Sequence, residues 1–307
     1  GASNGLSLID LRGIDYDDKS WDLLLDQLTD KEYKDSTTYL ANNAYNTAQM
    51  VSVGKPATID HDGPQGFSVL FGAKPDACAY MSEPLLAATF NVELAKEMGV
   101  AVGEEALALG FHGWYGPAMN THRSAFAGRN FEYYSEDGVL GGKIASAVVS
   151  GAADKGVFAY IKHFALNDQE YKRTTNLCTW ANEQAIREIY LRAFQYSFET
   201  TGENDKSCSG VMGAFNRLGM VWSGHYSNLW KNVMEKEFGF LGNVTTDFGQ
   251  KQGSLMEPQL AYEAGTHMFC TSGTGFATYL ENINFTEDTK LMNNMREALH
   301  RQLYNFA

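Results

Sequence analysis

The stretch from Val157 to Glu170, VFAYIKHFALNDQE, limits the possible folds more than any other part of the sequence. Its first half is an apolar run rich in aromatic and β-branched residues, the pattern of a strand buried on both faces. It turns polar abruptly at Lys162 and His163, so the carboxyl end of the strand presents a cation and an imidazole. In parallel α/β folds the loops that follow the strands converge on that edge, and ligands sit there. A single Lys-His pair after a strand is ordinarily a solvated cap; here several other strands end in the same way.

Ala57 to Asp60 is a short apolar run that stops at Asp60-His61-Asp62-Gly63-Pro64, where Gly and Pro force a loop and Asp62 falls just past the strand end. Tyr115 to Asn120 reads as another strand, followed by a loop that is aromatic and charged together, through Gly128-Arg129-Asn130-Phe131-Glu132 to Asp137. Gly210 to Asn216, Asn243 to Asp247 and His267 to Cys270 are further candidates. Helical spacing runs between them. Trp21, Leu24, Leu25 and Leu28 follow Ser20, and Leu94 to Leu109 is closed by Gly110. Asp137 caps a helix through Val149 that Gly151 ends; Ile186, Ile189, Tyr190, Ala193 and Phe194 recur behind Glu183; a helix lies around Leu229 to Phe238; and Met292, Met295, Leu299 and Leu303 line the closing helix.

Short strand, polar loop and amphipathic helix alternating through the whole chain indicate a mostly parallel α/β architecture. With 307 residues there is room for one such barrel, which takes roughly 250. The expected fold is a TIM-type (β/α)8 barrel, regular or collapsed, as a single domain over residues 20–307 behind a polar opening arm of residues 1–19.

The formal charge of −13 argues against nucleic acid or an anionic membrane as partner and favours a neutral substrate. Cys78, Cys178, Cys208 and Cys270 are scattered, without CxxC or zinc spacing, and are expected free and mostly buried. No stretch is long and apolar enough to span a bilayer, and no basic-then-apolar leader opens the sequence, which leaves cytoplasm and exterior equally open as compartments. No cofactor is expected: there is no P-loop, Gly273-Thr274-Gly275 lacks the third glycine of a dinucleotide fingerprint, and the histidines have no metal spacing. His112, His122 and His225 read as packing or loop residues. Asn243-Val244-Thr245 and Asn284-Phe285-Thr286 match the glycosylation sequon, the first inside an expected strand.

The residues just beyond the strand ends are Asp62, Arg129, Lys162, His163, Asn216 and Asp247. Two carboxylates among Arg, Lys and His suit a polyhydroxylated substrate, because carboxylates accept from hydroxyls and the cations donate to them. Any one of these residues alone would be read as a helix cap or a loop bridge. Together they point to a site, in which the cations are expected to hold the pKa of a neighbouring Asp down and keep it ionised for attack.

At these same residues the sequence resembles family 3 glycoside hydrolases, in the barrel domain of their β-glucosidase type. The resemblance is carried by Asp62-Gly63-Pro64, Gly116-Pro117-Ala118-Met119-Asn120, Gly128-Arg129-Asn130-Phe131-Glu132, Tyr134-Ser135-Glu136-Asp137, Lys162-His163-Phe164 with Asn167 and Glu170, Val211-Met212, Phe215-Asn216-Arg217, and Thr246-Asp247-Phe248, in an order that covers most of the chain. It implies a retaining hydrolase of terminal β-D-glucosyl residues, with Asp247 as nucleophile and Asp62, Arg129, Lys162 and His163 holding the sugar hydroxyls. Phe215 and Phe248 would flank the sugar, where Tyr and Trp are usual; Phe215 lacks the hydroxyl a Tyr would give the nucleophile. Retention needs a second carboxyl roughly 5 Å away as acid and base. In the β-glucosidase branch a second α/β domain generally supplies it, so such a domain, or self-association, is the expected partner. The branch that acts on N-acetylglucosaminides carries a His-Asp pair after a glycine-rich version of the Lys-His-Phe motif; Ala165-Leu166-Asn167-Asp168 stands there instead. The rival expectation is a non-catalytic sugar-binding or scaffold barrel. The face toward a partner is expected to expose Trp114, Tyr115 and Phe126.

Overall fold

In the structure, a computed structural model, residues 1–37, 46–68, 74–199, 208–248, 256–270 and 287–307 are described. Nine strands occur among them: β1 (Asn46–Thr47), β2 (Thr58–Asp62), β3 (Gly113–Tyr115), β4 (Phe158–Phe164), β5 (Cys178–Thr179), β6 (Gly210–Gly213), β7 (Arg217–Leu218), β8 (Val221–Trp222) and β9 (Asn243–Thr245). The main sheet has the order β1-β2-β3-β4-β6-β9, and every pair after the antiparallel β1-β2 is parallel. Each new strand is added beyond the last in the same direction. That is the winding of a barrel wall; a doubly wound sheet would reverse at a switch point.

The described strands make a curled parallel half-barrel, in keeping with the α/β barrel class expected from the sequence; eight barrel strands are not reached among the described residues. The segment His267 to Cys270 contributes only a parallel bridge between Thr245 and Met268. β5, β7 and β8 form a small sheet of their own from the loops that follow β4 and β6.

Alternation along the strands separates two apolar sets. Trp114, Ala159, Ile161, Val211 and Val244 face the helices and join the main core, while Tyr115, Tyr160 and Met212 meet Met268 and Cys270 on the other face. Trp114 and Tyr115 are therefore buried by the fold itself and are no partner surface; Phe126 is 96% exposed. A further core joins the two ends of the described chain, where Leu8, Leu11, Trp21 and Leu24 meet Leu291, Met295, Leu299 and Leu303 of the helix Thr289–Phe306.

The helices keep most of their sequence signals. Val92–Leu109 is capped by the Asn91 side chain and ends at Gly110 with φ 74°, a left-handed position glycine takes without strain. Asp137 caps Gly138–Ala153 by accepting from the Val139 amide at 2.7 Å. Gly151 does not end that helix. It lies inside it, where a Cβ would stand 2.2 Å from the Lys96 carbonyl oxygen, so it lets two helices touch. The helix after Glu183 is broken into π-helical Ile186–Tyr190 and α-helical Arg192–Phe198, and the one near Leu229 is π-helical over Asn228–Glu237.

Of the free cysteines, Cys208 and Cys270 are buried, Cys178 is half-buried and Cys78 is exposed, so burial holds for fewer than expected. Asn243 of the first sequon is buried within β9; the second sequon and Gly273-Thr274-Gly275 lie outside the described residues. Among the described residues no helix is long and apolar enough to cross a membrane.

Candidate active site

The parallel order of β2, β3, β4, β6 and β9 puts their carboxyl ends on one edge. Asp62 closes β2 as its last residue, one step earlier than the loop position expected from the sequence. Its Oδ1 accepts from the Gly63 amide at 2.8 Å and from Lys162 Nζ at 2.5 Å. Lys162 is almost wholly buried while Asp62 is more than a third exposed, so the pair presents a carboxylate to the site with the ammonium beneath it.

The Gly116–Asn120 segment, expected as strand, instead runs beside the end of β4. Lys162 donates its amide to the Pro117 carbonyl at 3.1 Å, and Met119 donates to the Lys162 carbonyl at 2.8 Å. Asn120 then clasps the next residue on both sides: its Oδ1 accepts from the His163 amide at 2.8 Å, and its Nδ2 donates to the His163 carbonyl at 2.9 Å. His163 is thereby held at the bottom of the site. Its Nδ1 lies 3.3 Å from the Tyr133 hydroxyl, and its Nε2 3.7 Å from Asp247 Oδ2.

Burial pushes the His163 pKa well below the usual imidazole value, and Arg129, Lys162 and Arg173 push the same way. A neutral ring at 3.7 Å makes neither ion pair nor hydrogen bond with Asp247. It is an uncharged wall beside Asp247.

Asp247 follows β9 by two residues, and the Thr245–Met268 bridge braces it: Thr246 donates its amide to the Met268 carbonyl at 3.0 Å and accepts at Oγ1 from the Cys270 amide at 3.1 Å. The Phe248 amide donates to Asp247 Oδ1 at 2.7 Å, and Arg173 Nη1 donates to Oδ2 at 3.3 Å. Burial raises the Asp247 pKa above the ordinary carboxylate value; Arg173, the Phe248 amide, Arg129 and Lys162 pull it back without overcoming that. The sequence argument for a depressed pKa fails here because desolvation outweighs the surrounding cations.

Arg173 is the residue that sequence reasoning missed. Besides Asp247 it contacts Glu170, Nε to Oε2 at 2.9 Å, and its guanidinium lies 4.6 Å above the Phe215 ring. Phe215 has no hydroxyl to offer Asp247, but it forms a flat seat for a guanidinium that supplies the donor instead. The available signal was a Glu-x-x-Arg spacing, Glu170 to Arg173, in the polar loop after β4.

Arg129 is held by Glu132, through Nε and Oε1, and lies 3.7 Å from Glu170, Nη1 to Oε1. Asn167 Nδ2 ties this group together by donating to the Tyr133 hydroxyl at 2.7 Å and to Glu170 Oε1 at 3.0 Å. Asn216 stands apart from these charged residues. It is buried, and its Nδ2 donates to the Ala165 carbonyl at 3.2 Å and to Thr179 Oγ1 at 3.3 Å, so it fixes the loop after β4. Phe248 is half-buried between two apolar clusters.

Among the described residues no group of three His, Cys, Asp or Glu side chains is placed to hold a metal ion. What the edge does carry is two supported carboxylates, one more open and paired with a buried lysine, one buried and tied to an arginine. A neutral imidazole stands near the second. That arrangement accepts from hydroxyls at one end and offers a nucleophilic oxygen at the other.

The family model described as "Glycosyl hydrolase family 3 N terminal domain" matches residues 27–287. "Beta-glucosidase A" of Butyrivibrio fibrisolvens is 38% identical over 206 residues, which are 67% of this chain and 24% of that protein. Among solved structures, beta-glucosidase 3B from Thermotoga neapolitana in complex with glucose is similar at a TM-score of 0.77 and 32% identity, over 92% of this chain and 41% of that one. A beta-glucosidase from Paenibacillus barengoltzii shares the fold at a TM-score of 0.82 over the whole of this chain and 34% of its own, with 24% identity. The match thus spans about a quarter of the length of the curated relative and well under half of the solved chains. By the extent of the family match and the likeness of its fold, the chain belongs to glycosyl hydrolase family 3, of which it carries the N-terminal domain.

Proposed function

We propose that this chain is the nucleophile-bearing domain of a retaining glycoside hydrolase that removes terminal non-reducing β-D-glucosyl residues. The observation that carries the reading is the convergence on one edge of Asp62 and Asp247, from opposite ends of the parallel strands, each paired with a cation from β4 or the loop after it, Lys162 and Arg173. Asp62, Lys162, Arg129 and His163 bind the hydroxyls of the terminal sugar. Asp247 attacks the anomeric carbon as the bond to the leaving oxygen breaks, forming a glycosyl ester; water then cleaves the ester, releasing glucose and restoring the carboxylate. Phe248 flanks the anomeric carbon and Phe215 seats Arg173.

The leaving oxygen needs a proton. Glu132 and Glu170 are both engaged by arginine side chains, Glu132 by Arg129 and Glu170 by Arg173. The acid comes from a second α/β domain covering this edge, a reading supported by the exposed rings of Phe126 and Phe131 beside the Arg129 loop.

Mass spectrometry after exposure to an activated 2-fluoro glucoside tests the assignment. A covalent adduct on Asp247 is expected. No adduct despite measurable glucose binding would leave a non-catalytic sugar-binding barrel. Without the second domain, activated aryl glucosides should react and alkyl glucosides lag by about 10²–10⁴-fold, the usual contribution of a general acid. Equal rates on the two would place an acid inside the chain.

A further inference from the structure

A separate cleft of about 530 Å³ lies between the β5-β7-β8 sheet and the π-helical turns Ile186–Tyr190 and Asn228–Glu237, and it is lined by none of the residues assigned above to the sugar or the nucleophile. Its floor is apolar, with Leu191, Leu218 and Leu229 buried. Its rim carries Asn228, Asn232, Glu183, Glu237 and Arg187.

Trp180 stands at this cleft and is 66% exposed. The other four of the five tryptophans, Trp21, Trp114, Trp222 and Trp230, are buried in the cores. The Trp180 ring lies against Gly219, 3.6 Å from the position a Cβ would take there, so the indole is seated on backbone rather than swinging free. An aromatic plane fixed in this way and left in water has no packing role of its own.

The rim is polar without being cationic. Arg187 is neutralised by Glu183, Nε to Oε1 at 2.9 Å, and by Glu237 through both terminal nitrogens at 2.5 and 3.1 Å. Lys236 donates its Nζ to Asn232 Oδ1 at 3.1 Å, so with Arg187 and Lys236 set against Glu183 and Glu237 the rim carries no net positive charge for an anionic ligand. Asn232 Nδ2 donates to Asn228 Oδ1 at 2.8 Å, which turns the two amides into one hydrogen-bonding edge. A flat apolar face beside paired amides, over an apolar floor and with no net cation, matches a sugar ring, whose C–H face is apolar and whose hydroxyls project sideways. The volume falls in the range of small-molecule sites.

We propose that this cleft is a second, non-catalytic binding site for a neutral pyranoside, in which Trp180 stacks on the ring and Asn228 and Asn232 take its hydroxyls. A clamp links it to the edge that carries Asp62 and Asp247. Thr179, next to Trp180, accepts from Asn216, and the same Asn216 amide holds the Ala165 carbonyl just past the end of β4.

Acrylamide quenching of indole fluorescence in the intact chain reads Trp180 selectively, because the other indoles are buried. Methyl β-glucoside and cellobiose should protect it saturably, and sorbitol, which has no ring, should not. Protection should persist in Asp62→Asn, which weakens the catalytic subsite. The Asn228→Ala/Asn232→Ala double variant, folded by circular dichroism, should bind about tenfold more weakly or worse, equivalent to about 1.4 kcal/mol. Absence of protection, equal protection by sorbitol, its loss in Asp62→Asn, or unchanged affinity in the double variant would each overturn the proposal. The Asp247 adduct is unaffected by any of these outcomes, so the two readings fail separately.

Discussion

Arg173→Met is the substitution that most directly separates this account of the nucleophile from one built on the sequence motifs alone. Methionine keeps an apolar stem over Phe215 but takes the guanidinium away from Asp247 and Glu170. Both partners of the Arg173–Asp247 contact are largely shielded from water, at 21% and 14% side-chain exposure, so the interaction escapes most solvent screening. A hydrogen bond to a charged group is worth about 1.5–3 kcal/mol. Lost from the ionised carboxylate, this converts to a pKa about 1–2 units higher, and hence to an ionised fraction and a rate up to about 10- to 150-fold lower at a pH below both pKa values. The sign follows from the titration: burial already raises the Asp247 pKa, and Arg173 is foremost among the groups drawing it down. Removing Arg173 therefore raises it further, and since attack requires the ionised form, the acid limb of the rate profile moves to higher pH. The assay is the first-order release of dinitrophenolate from a dinitrophenyl 2-fluoro glucoside, whose leaving group needs no acid, followed across pH in both proteins. An acid limb that stays in place, with a rate within about twofold of the wild type, would refute the role given to Arg173.

Gly151→Ala sets two effects against each other: helix propensity alone would stabilise by about 0.5–1 kcal/mol, while overpacking costs about 1–3 kcal/mol. With the Lys96 carbonyl 2.2 Å from the new Cβ, packing wins, and urea unfolding should show a net loss; a gain would mean the helices part freely. Glu83 is fully buried, and burial first, then Glu132, pushes its pKa up to about 8 against the Gln65 hydrogen bond. The folded chain thus holds a proton that the unfolded chain releases, so this residue's contribution is greatest below its ordinary value near 4.5 and falls by about 1.4 kcal/mol per pH unit up to about 8. Melting curves of Glu83→Gln and wild type should converge toward acid and separate by pH 8, the variant being the more stable; parallel curves would contradict the shift. Asn120→Ala removes both bonds to the His163 backbone and should cost about 1–3 kcal/mol in chemical denaturation, with no measurable loss excluding a clasp.

The sequence by itself determined the parallel α/β winding, the helix caps at Asp137 and Gly110, and the edge on which Asp62, Lys162 and Asp247 meet. Those features follow from local patterns, the two- and 3.6-residue periods and the polar break at each strand end, which a chain displays before it folds. Only the tertiary structure decided that the described strands curl into a half-barrel, that Gly151 is a contact between helices rather than a stop, and that Arg173 stands over Phe215 against Asp247. It also reversed the expected direction of the Asp247 pKa. Charges can be counted in a sequence, but the water removed from around each one depends on every segment packed over it, and for Asp247 those segments come from β4, β9 and the loop carrying Arg173.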